Sequence, residues 1–299
     1  MIRIVRGPEP RGLKIAAPRR LKAAASAFNA HGGASPELKA VLTGYGTPRT
    51  KKALFHAQQG KCAWCERRTD FSSAPVEHYR PKDGAWRNLP KEPVRMDEGY
   101  YWWLAWSWSN LLFSCVRCND AGHKANYFPL RQGTRRATAP RKPLRIPPPS
   151  PIVDVSDEHP LLLDPAGPKD PLDHIEWMAN NTDFSPYDWT WTPQGRTEEG
   201  GATIEILQLG ELAEDVQQHV RTALLPSIDE MKDHIRANRL NAARRRWDQL
   251  LKDTLAPKST LSAFTWQALA VLVPEDYRQE HGLKSPSRPG AAGNPRPPP

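Results

Sequence analysis

The sequence predicts an α+β protein that is mostly α-helical, with a cysteine-rich core in its first half and a helical domain in its second half. Two CxxC pairs contain all four cysteines: Cys62 with Cys65, and Cys115 with Cys118. Apolar residues recur near a 3.6-residue period over 202–273, which predicts helices there. Short apolar pieces among Pro, Asn and Asp over 160–200 predict loops and short strands.

Composition divides the 299 residues into five segments. The first is basic and rich in Ala, Gly and Pro, and Ser35 with Pro36 then forms a helix start signal. Dense prolines indicate an extended connector in the middle and a tail at the end. The predicted segments are a basic flexible arm (1–35), the cysteine-rich domain (36–133), a Pro-rich linker (134–160), a mainly helical accessory domain (161–282) and a disordered tail (283–299).

Within the cysteine-rich domain, residues 61–68 form a first knuckle, and 70–90 read as a two-stranded ribbon. The aromatic run over 99–113 has apolar residues on more than one helical face, so we interpret its tryptophans as core and not as base-stacking platforms. Residues 115–127 are expected to hold the second knuckle and the start of a helix.

Four thiols on two tight turns supply the tetrahedral ligand set of a structural Zn²⁺ site, and a rubredoxin-like iron site is the alternative. No apolar run approaches the roughly 18 residues of a membrane span. The beginning of the chain has charge but no apolar stretch typical of a signal peptide. We therefore expect a cytoplasmic protein without membrane contact, whose thiols bind metal instead of pairing as disulfides.

The net charge of +9 is unevenly distributed. Residues 1–150 contain 27 Lys and Arg against 10 Asp and Glu, whereas residues 151–299 contain 15 against 23. A basic half that carries the cysteines suits a polyanion such as nucleic acid. The acidic helical half suits a scaffold or a protein-docking surface, and the alternative for the basic residues is that they only solubilise flexible arms.

The order CxxC, Glu-His, Asn, CxxC-Asn resembles the HNH (ββα-metal) endonucleases. The strings CAWCE, VEHYRPK, YWWLAWSWSNLLFSCVRCN and FPL are similar to the PtuB group, the HNH nucleases of Septu-type anti-phage systems that also occur with some retrons. The resemblance is dense over 61–130, weaker over 160–177 and 202–212, and absent beyond about 255. It implies a zinc-stapled ββα-metal core followed by the helical domain.

His78 is the candidate general base, because an imidazole with a pKa near 6.5 accepts a proton at neutral pH. The resemblance implies that Glu77, directly before it, ligates a catalytic divalent cation. It also implies that Asn110 holds the loop that carries the base through backbone hydrogen bonds. Taken alone, each of these residues would read as an ordinary surface or helix-terminal side chain.

Many relatives have a metal-ligating His where this chain has Asn119. Amide oxygen is an acceptable ligand for Mg²⁺ or Mn²⁺. His123 lies four residues on and is the alternative ligand, one that would favour softer metals. Four cations around the site are expected to bind phosphate instead of reading bases: Arg80, Lys82, Arg117 and Lys124.

The leading hypothesis is a metal-dependent HNH endonuclease that hydrolyses nucleic acid, with DNA favoured, in bacterial anti-phage defence. The resemblance implies an ABC-type ATPase partner of the PtuA group, for which the acidic helical half is the expected docking surface. The alternatives are a zinc-stabilised nucleic-acid-binding module without catalysis and a regulatory subunit that is silent until its partner releases it. Asp164 and His174 recur in the resemblance without an assigned chemistry, and a structural histidine is the simplest interpretation of His174.

Overall fold

The computed structural model describes residues 1–92 and 94–290, in which helices surround three two-stranded antiparallel sheets. The helices are α1 (Arg11–His31), α2 (Pro36–Val41), α3 (Pro48–Ala57), α4 (Val116–Asn119), α5 (Glu198–Leu207), α6 (Ala213–His219), α7 (Leu225–Arg236), α8 (Leu240–Leu255), α9 (Ser262–Leu272) and α10 (Glu275–His281). The strands are β1 (Val76–His78), β2 (Ala85–Trp86), β3 (Met96–Asp97), β4 (Leu111–Phe113), β5 (Ile175–Asn180) and β6 (Thr190–Gly195). The mixed α and β class agrees with the prediction.

The predicted flexible arm is wrong over most of its length, because residues 11–31 form helix α1. Its apolar face is buried, and the Phe28 ring packs 5.2 Å from the Trp102 ring, measured between centroids. The helix tolerates Pro18 in its interior, a residue that normally ends or kinks a helix. Packing of this long helix on the aromatic core overrides the weak local signal.

Strands β1 and β4 form the antiparallel pair on which the candidate site is built. Val76 pairs with Phe113 at one end and His78 pairs with Leu111 at the other. The aromatic run before β4 forms two short 3₁₀ turns (Trp102–Leu104 and Trp108–Asn110) instead of a helix. Its tryptophans are nevertheless core: Trp102, Trp103 and Trp106 are buried.

Helix α4 is much shorter than the helix expected over 115–127. It ends at Asn119, because Asp120 has an extended backbone conformation and Gly122 follows. Residues His123 and Lys124 therefore lie in a turn beyond the helix, and the expectation that they belong to the helix that carries Asn119 is wrong. The result is two strands followed by a single helical turn.

The second half contains the long hairpin β5–β6 and the helices α5 to α10. The predicted helical region 202–273 agrees with α5 to α9, of which α8 is the longest. Between α6 and α7 the helix passes through a π-helical turn, Val220–Leu224. Such turns interrupt regular helices where an extra residue is accommodated.

One continuous cluster of buried apolar side chains runs through both halves of the described chain. Residues 134–160 contain no helix or strand but are fastened to the first half, for example by Leu144 to Asn29. The predicted disordered tail is wrong for residues 283–290: Leu283 is buried, and Arg288 forms an ion pair with Asp170 at 2.9 Å. Positions 291–299 lie outside the described residues, and within the described ones no helix is long and apolar enough to cross a membrane.

Candidate functional site

The four cysteines form a buried cluster whose sulfur atoms all lie within 4.8 Å of one another. The Cys65 and Cys115 sulfurs are 3.8 Å apart. A tetrahedral Zn²⁺ with Zn–S bonds of about 2.3 Å places its sulfurs about 3.8 Å apart, so the spacing fits a metal such as zinc. The thiols also interact with one another: a hydrogen bond with Cys118 lowers the pKa of Cys115.

The carboxamide of Gln58 joins the first cysteine knuckle to β4. Its Nε2 donates to the carbonyl oxygens of Lys61 and Phe113, at 3.0 and 2.7 Å. Its Oε1 accepts a hydrogen bond from Phe113 N at 2.8 Å. Because Cys115 follows β4 by two residues, this buried side chain fixes the two CxxC turns at the same end of the β1–β4 pair. Sequence reasoning missed Gln58, since a lone glutamine at the end of a helix carries no metal-site signal.

The cysteine cluster packs against the second half of the chain. The carboxylate of Glu66, the residue after Cys65, accepts a hydrogen bond from Ala263 N at the start of α9, at 3.3 Å. Arg67 pairs with Asp215 at 2.8 Å across the same boundary. Some acidic side chains of the second half therefore form ion pairs with basic side chains of the first half.

His78 lies at the opposite end of the β1–β4 pair and is only 4% exposed. Its Nε2–H donates to the carbonyl oxygen of Ala105 at 2.9 Å, which leaves the lone pair of the neutral ring on Nδ1. Within the described part of the chain, Nδ1 has no hydrogen-bond partner. Burial lowers the pKa of His78 to about 3, so the ring is neutral at physiological pH.

Asn110 holds both chain segments that position His78. Its Oδ1 accepts from Arg80 N at 2.8 Å, and its Nδ2 donates to Arg80 O at 3.0 Å. The same Nδ2 donates to Leu104 O at 3.3 Å, next to the carbonyl that binds His78. The amide thus clamps the loop after β1 to the turn before β4.

Glu77 contacts Lys124, whereas its neighbour His78 contacts the carbonyl oxygen of Ala105. Its carboxylate forms an ion pair with the ammonium of Lys124 at 2.6 Å, and Lys124 is fully buried. Burial raises the pKa of Glu77, and the charge of Lys124 opposes that rise. The carboxylate therefore already holds a positive charge in a site that is mostly closed to water.

The two alternative ligands after Cys118 have different surroundings. His123 contacts two carboxylates: Nδ1 lies 2.7 Å from Asp120 Oδ1, and Nε2 lies 3.2 Å from Glu211 Oε2. The Asn119 side chain is half-buried, and no described residue forms a hydrogen bond with its amide. Both nitrogens of His123 are therefore engaged, whereas Asn119 keeps its amide oxygen for another partner.

Three of the four cations expected to bind phosphate are paired with carboxylates of the chain. Arg80 pairs with Glu158 at 3.1 Å, Arg117 pairs with Glu211 at 2.8 Å, and Lys124 is held by Glu77. Arg80 and Lys124 are therefore largely shielded from solvent, because carboxylates from distant parts of the sequence pair with them inside the fold. Lys82 differs from the other three, since its ammonium lies 5.4 Å from the ring centroid of Tyr45 at the edge of an open groove.

Tyr45 is the second residue that sequence reasoning missed. Its ring meets the His78 ring edge-on, with centroids 4.3 Å apart. It lines an open groove of about 590 Å³ in which Val76, Lys82 and residues of α2 and α3 also take part. A single tyrosine between two glycines reads as a turn, so no signal in the sequence pointed to this contact.

Asp164 and His174 lie away from His78 in the hydrogen-bond network. His174 Nδ1 bonds the hydroxyl of Thr197, the residue that caps α5, at 2.8 Å. Asp164 accepts from Ala166 N at 2.9 Å and lies 3.6 Å from Arg6. Both contacts are structural ones, in line with the simplest interpretation of His174.

Comparison with known proteins gives two relatives with the same name. The Septu protein PtuB of Bacillus mycoides (strain KBAB4) is 38% identical over 134 residues, which cover 44% of this chain and 40% of that protein. The Septu protein PtuB of Bacillus thuringiensis is 38% identical over 77 residues, 25% of this chain and 24% of that protein. No family model and no solved structure matches. Although the match spans less than half of either relative, over that part the chain is related to the PtuB proteins of Septu systems.

Proposed function

We propose that this chain is a metal-dependent endonuclease of the HNH type that acts as the nuclease component of a Septu anti-phage system. The observation that carries the proposal is the placement of His78: its Nε2–H is bonded to Ala105 O, the Asn110 side chain binds Arg80 N just beyond it, and the Nδ1 lone pair is left for a substrate water. Hydrolysis of a phosphodiester requires such a group to take a proton from the attacking water. The relationship to PtuB proteins supports the same function.

His78 Nδ1 accepts the proton of the water that attacks phosphorus, and the Nε2–H bond to Ala105 O keeps the ring in the required tautomer. Asn110 acts as a positioning residue, because it holds Arg80 and Leu104 on either side of the histidine. The Tyr45 ring packs edge-on against the histidine ring and restricts its movement. The leaving 3′ oxygen and the phosphate need positive charge, which cations near Glu77 supply.

The buried Glu77 carboxylate, which already attracts a positive charge, would suit a hard divalent cation such as Mg²⁺ or Mn²⁺. The ammonium of Lys124 stands in for such a cation, since it occupies the carboxylate at 2.6 Å. Mg²⁺ binds through one or two protein oxygens and completes its shell with water and substrate phosphate, so Glu77 and Asn119 would hold it. When bound, the cation would neutralise the charge that develops on the phosphate. Lys124 would then leave Glu77 and pair with the substrate instead.

The cysteine cluster would stabilise the strand pair that carries His78. A Zn²⁺ bound to the four thiols would fix the Val76–Phe113 end of the strand pair, while His78 lies two residues along the same strand. Binding energy at such a site is folding energy, so the metal would hold the geometry of the hydrolytic end. An iron ion bound to the same four thiols, the alternative to zinc, would hold this end of the strand pair in the same way.

We further infer that the nuclease acts with an ABC-type ATPase, docked through the acidic surface of the second half. Helix α7 exposes three acids there, Asp229, Glu230 and Asp233, of which Glu230 pairs with Arg246 and Asp233 with Arg236. Charge reversal of Glu230 and Asp233 together is expected to weaken co-elution with the ATPase encoded beside this chain. Equal reversal at Lys22 and Arg19 on α1 is the control. Loss of the complex only with the α1 change would move the docking surface to the first half.

The test of catalysis is cleavage of labelled DNA and RNA by the purified chain, alone and with its ATPase, in Mg²⁺ or Mn²⁺. We expect His78→Ala to abolish cleavage while its cysteine site still binds metal. Binding of nucleic acid without cleavage, under all of these conditions, would favour the non-catalytic module. Cleavage only in the complex would favour the regulated subunit.

A further inference from the structure

We propose that the groove beside His78 binds a nucleic-acid strand with unpaired bases, through three lysines and the ring of Tyr45. This lysine groove is defined by Lys39, Lys51 and Lys82 around Tyr45, and the segment that enters β1 at Val76 forms its wall. The inference rests on the proposed nuclease function and replaces the phosphate-binding role first expected for Arg80 and Arg117.

The charge of the groove suits a phosphodiester backbone. Among the described residues that line it, every charged side chain is a lysine. Lys51 donates only to the carbonyl oxygen of Ser72, at 3.1 Å, so its charge has no carboxylate partner there. Lys39 pairs with Asp83 at 3.1 Å, but both side chains are substantially exposed, and such pairs contribute little stability. A phosphate can therefore compete for these ammonium groups.

Aromatic rings alternate with these lysines. Lys82 lies over Tyr45, and Lys51 lies 5.0 Å from the ring centroid of Phe71, which is 36% exposed. Proteins that bind single strands combine a positive groove with aromatic rings on which unpaired bases stack. In a duplex, the bases are already stacked on one another and cannot reach such a ring. The pattern thus favours an unpaired strand.

The groove also leads to the candidate base. The Tyr45 ring lies in the groove and contacts the buried His78 ring edge-on. A base that stacks on Tyr45 would bring its own backbone phosphate close to the residue that contacts the His78 ring. Binding and hydrolysis would then share one entrance, and His78 would be reached only by a strand that can bend into the recess.

The test compares two adjacent lysines on α3. Lys51 lines the groove, whereas Lys52 is exposed but does not line it. Binding is measured by fluorescence anisotropy of labelled single-stranded DNA, single-stranded RNA and duplex DNA, with Ca²⁺ replacing Mg²⁺. We expect Lys51→Gln to weaken single-strand binding several-fold and to lower the slope of log affinity against log salt by about 0.7. Lys52→Gln should stay within about twofold of wild type.

Tyr45 supplies the second arm. Tyr45→Ala is expected to weaken single-strand binding by at least about fivefold, the loss of one stacked base, whereas Tyr45→Phe should bind as wild type does. Metal content and melting temperature identify any variant that fails to fold, and Tyr45→Leu then replaces Tyr45→Ala. The two single strands show whether the groove prefers RNA or DNA.

Equal losses for Lys51→Gln and Lys52→Gln, or tighter binding of the duplex with no effect of Tyr45→Ala, would overturn the assignment.

The underlying nuclease proposal fails separately. If binding follows the prediction but no strand is cut in Mg²⁺ or Mn²⁺, the groove stands and the hydrolytic role of His78 falls. If His78→Ala abolishes cleavage while Lys51→Gln binds and cuts normally, only the groove assignment falls.

Discussion

The side chain of Asn110 binds both the N–H and the carbonyl oxygen of Arg80, two residues beyond His78. The backbone oxygen of Asn110 also accepts from Tyr79 N at 2.9 Å. One residue thus fixes the chain immediately after the candidate base, without touching the base itself.

Replacement of Asn110 is expected to lower the rate of cleavage. Asn110→Ala removes the clamp on Arg80 and Leu104, so His78 loses its defined position, and a misplacement of about 1 Å costs about 100-fold in rate. The measurement is the single-turnover rate at saturating substrate. Ser109→Ala, at an exposed neighbouring position, is the control. An unchanged rate for Asn110→Ala would remove it from the positioning role.

Loss of one thiol is expected to release the structural metal. Cys65→Ser should bind substoichiometric metal and unfold at a lower temperature, because metal binding at such a site supplies folding energy. Elemental analysis and thermal unfolding measure both effects, and Ser73→Ala, at an exposed position outside the cluster, is the control. The same analysis separates zinc from iron. Full metal content in Cys65→Ser would contradict a four-sulfur site.

Breaking the buried ion pair is expected to be costly. Lys124→Met leaves the Glu77 carboxylate buried without its partner, which typically costs about 3–5 kcal/mol in the free energy of unfolding. Adding Glu77→Gln should restore much of that loss, because no charge then remains buried. Urea unfolding of both single variants and the double variant gives the coupling. Additive losses would show that the two side chains do not interact.

The same pair predicts competition with a divalent cation. Because the ammonium and the cation would share the Glu77 carboxylate, Lys124→Met should bind Mn²⁺ more tightly than wild type, and Glu77→Gln more weakly. Electron paramagnetic resonance of added Mn²⁺ measures the affinity. Weaker binding by Lys124→Met than by wild type would contradict the displacement of Lys124.

His219 predicts how stability depends on pH. Burial lowers its pKa from 6.5 to about 4, and its Nε2 lies 2.8 Å from the Thr265 hydroxyl. Between these values the unfolded chain binds a proton that the folded chain does not, so stability falls as pH decreases below 6.5. At about pH 5 the loss is about 2 kcal/mol. His219→Gln should lack this part of the loss, whereas the exposed His56→Gln should follow wild type; parallel curves for all three would contradict it.

The sequence predicted the parts of the fold that depend on short-range patterns. Two CxxC turns need no knowledge of distant contacts, and the 3.6-residue period of the second half reports directly on α5 to α9. Helix α1 was missed because Pro18 argues against it locally, while the burial of Phe28 against Trp102 stabilises it from a distance.

The candidate site residues come from the motif and stay predictions, whereas their surroundings follow from the fold alone. The orientation of Arg80 depends on Glu158, which lies 78 positions away in a segment read as a linker. The contact of Tyr45 with His78 and the use of Gln58 depend equally on tertiary packing. Sequence patterns indicate which residue types are present, whereas the partner of a buried charge follows only from the fold.

The most direct test of the central claim is the cleavage rate of nucleic acid by wild type and His78→Ala, each measured alone and with the ATPase partner. Both proteins are first matched for bound structural metal and melting temperature. We expect metal-dependent cleavage by wild type and none by His78→Ala. Equal cleavage by the two proteins would contradict a hydrolytic role for His78.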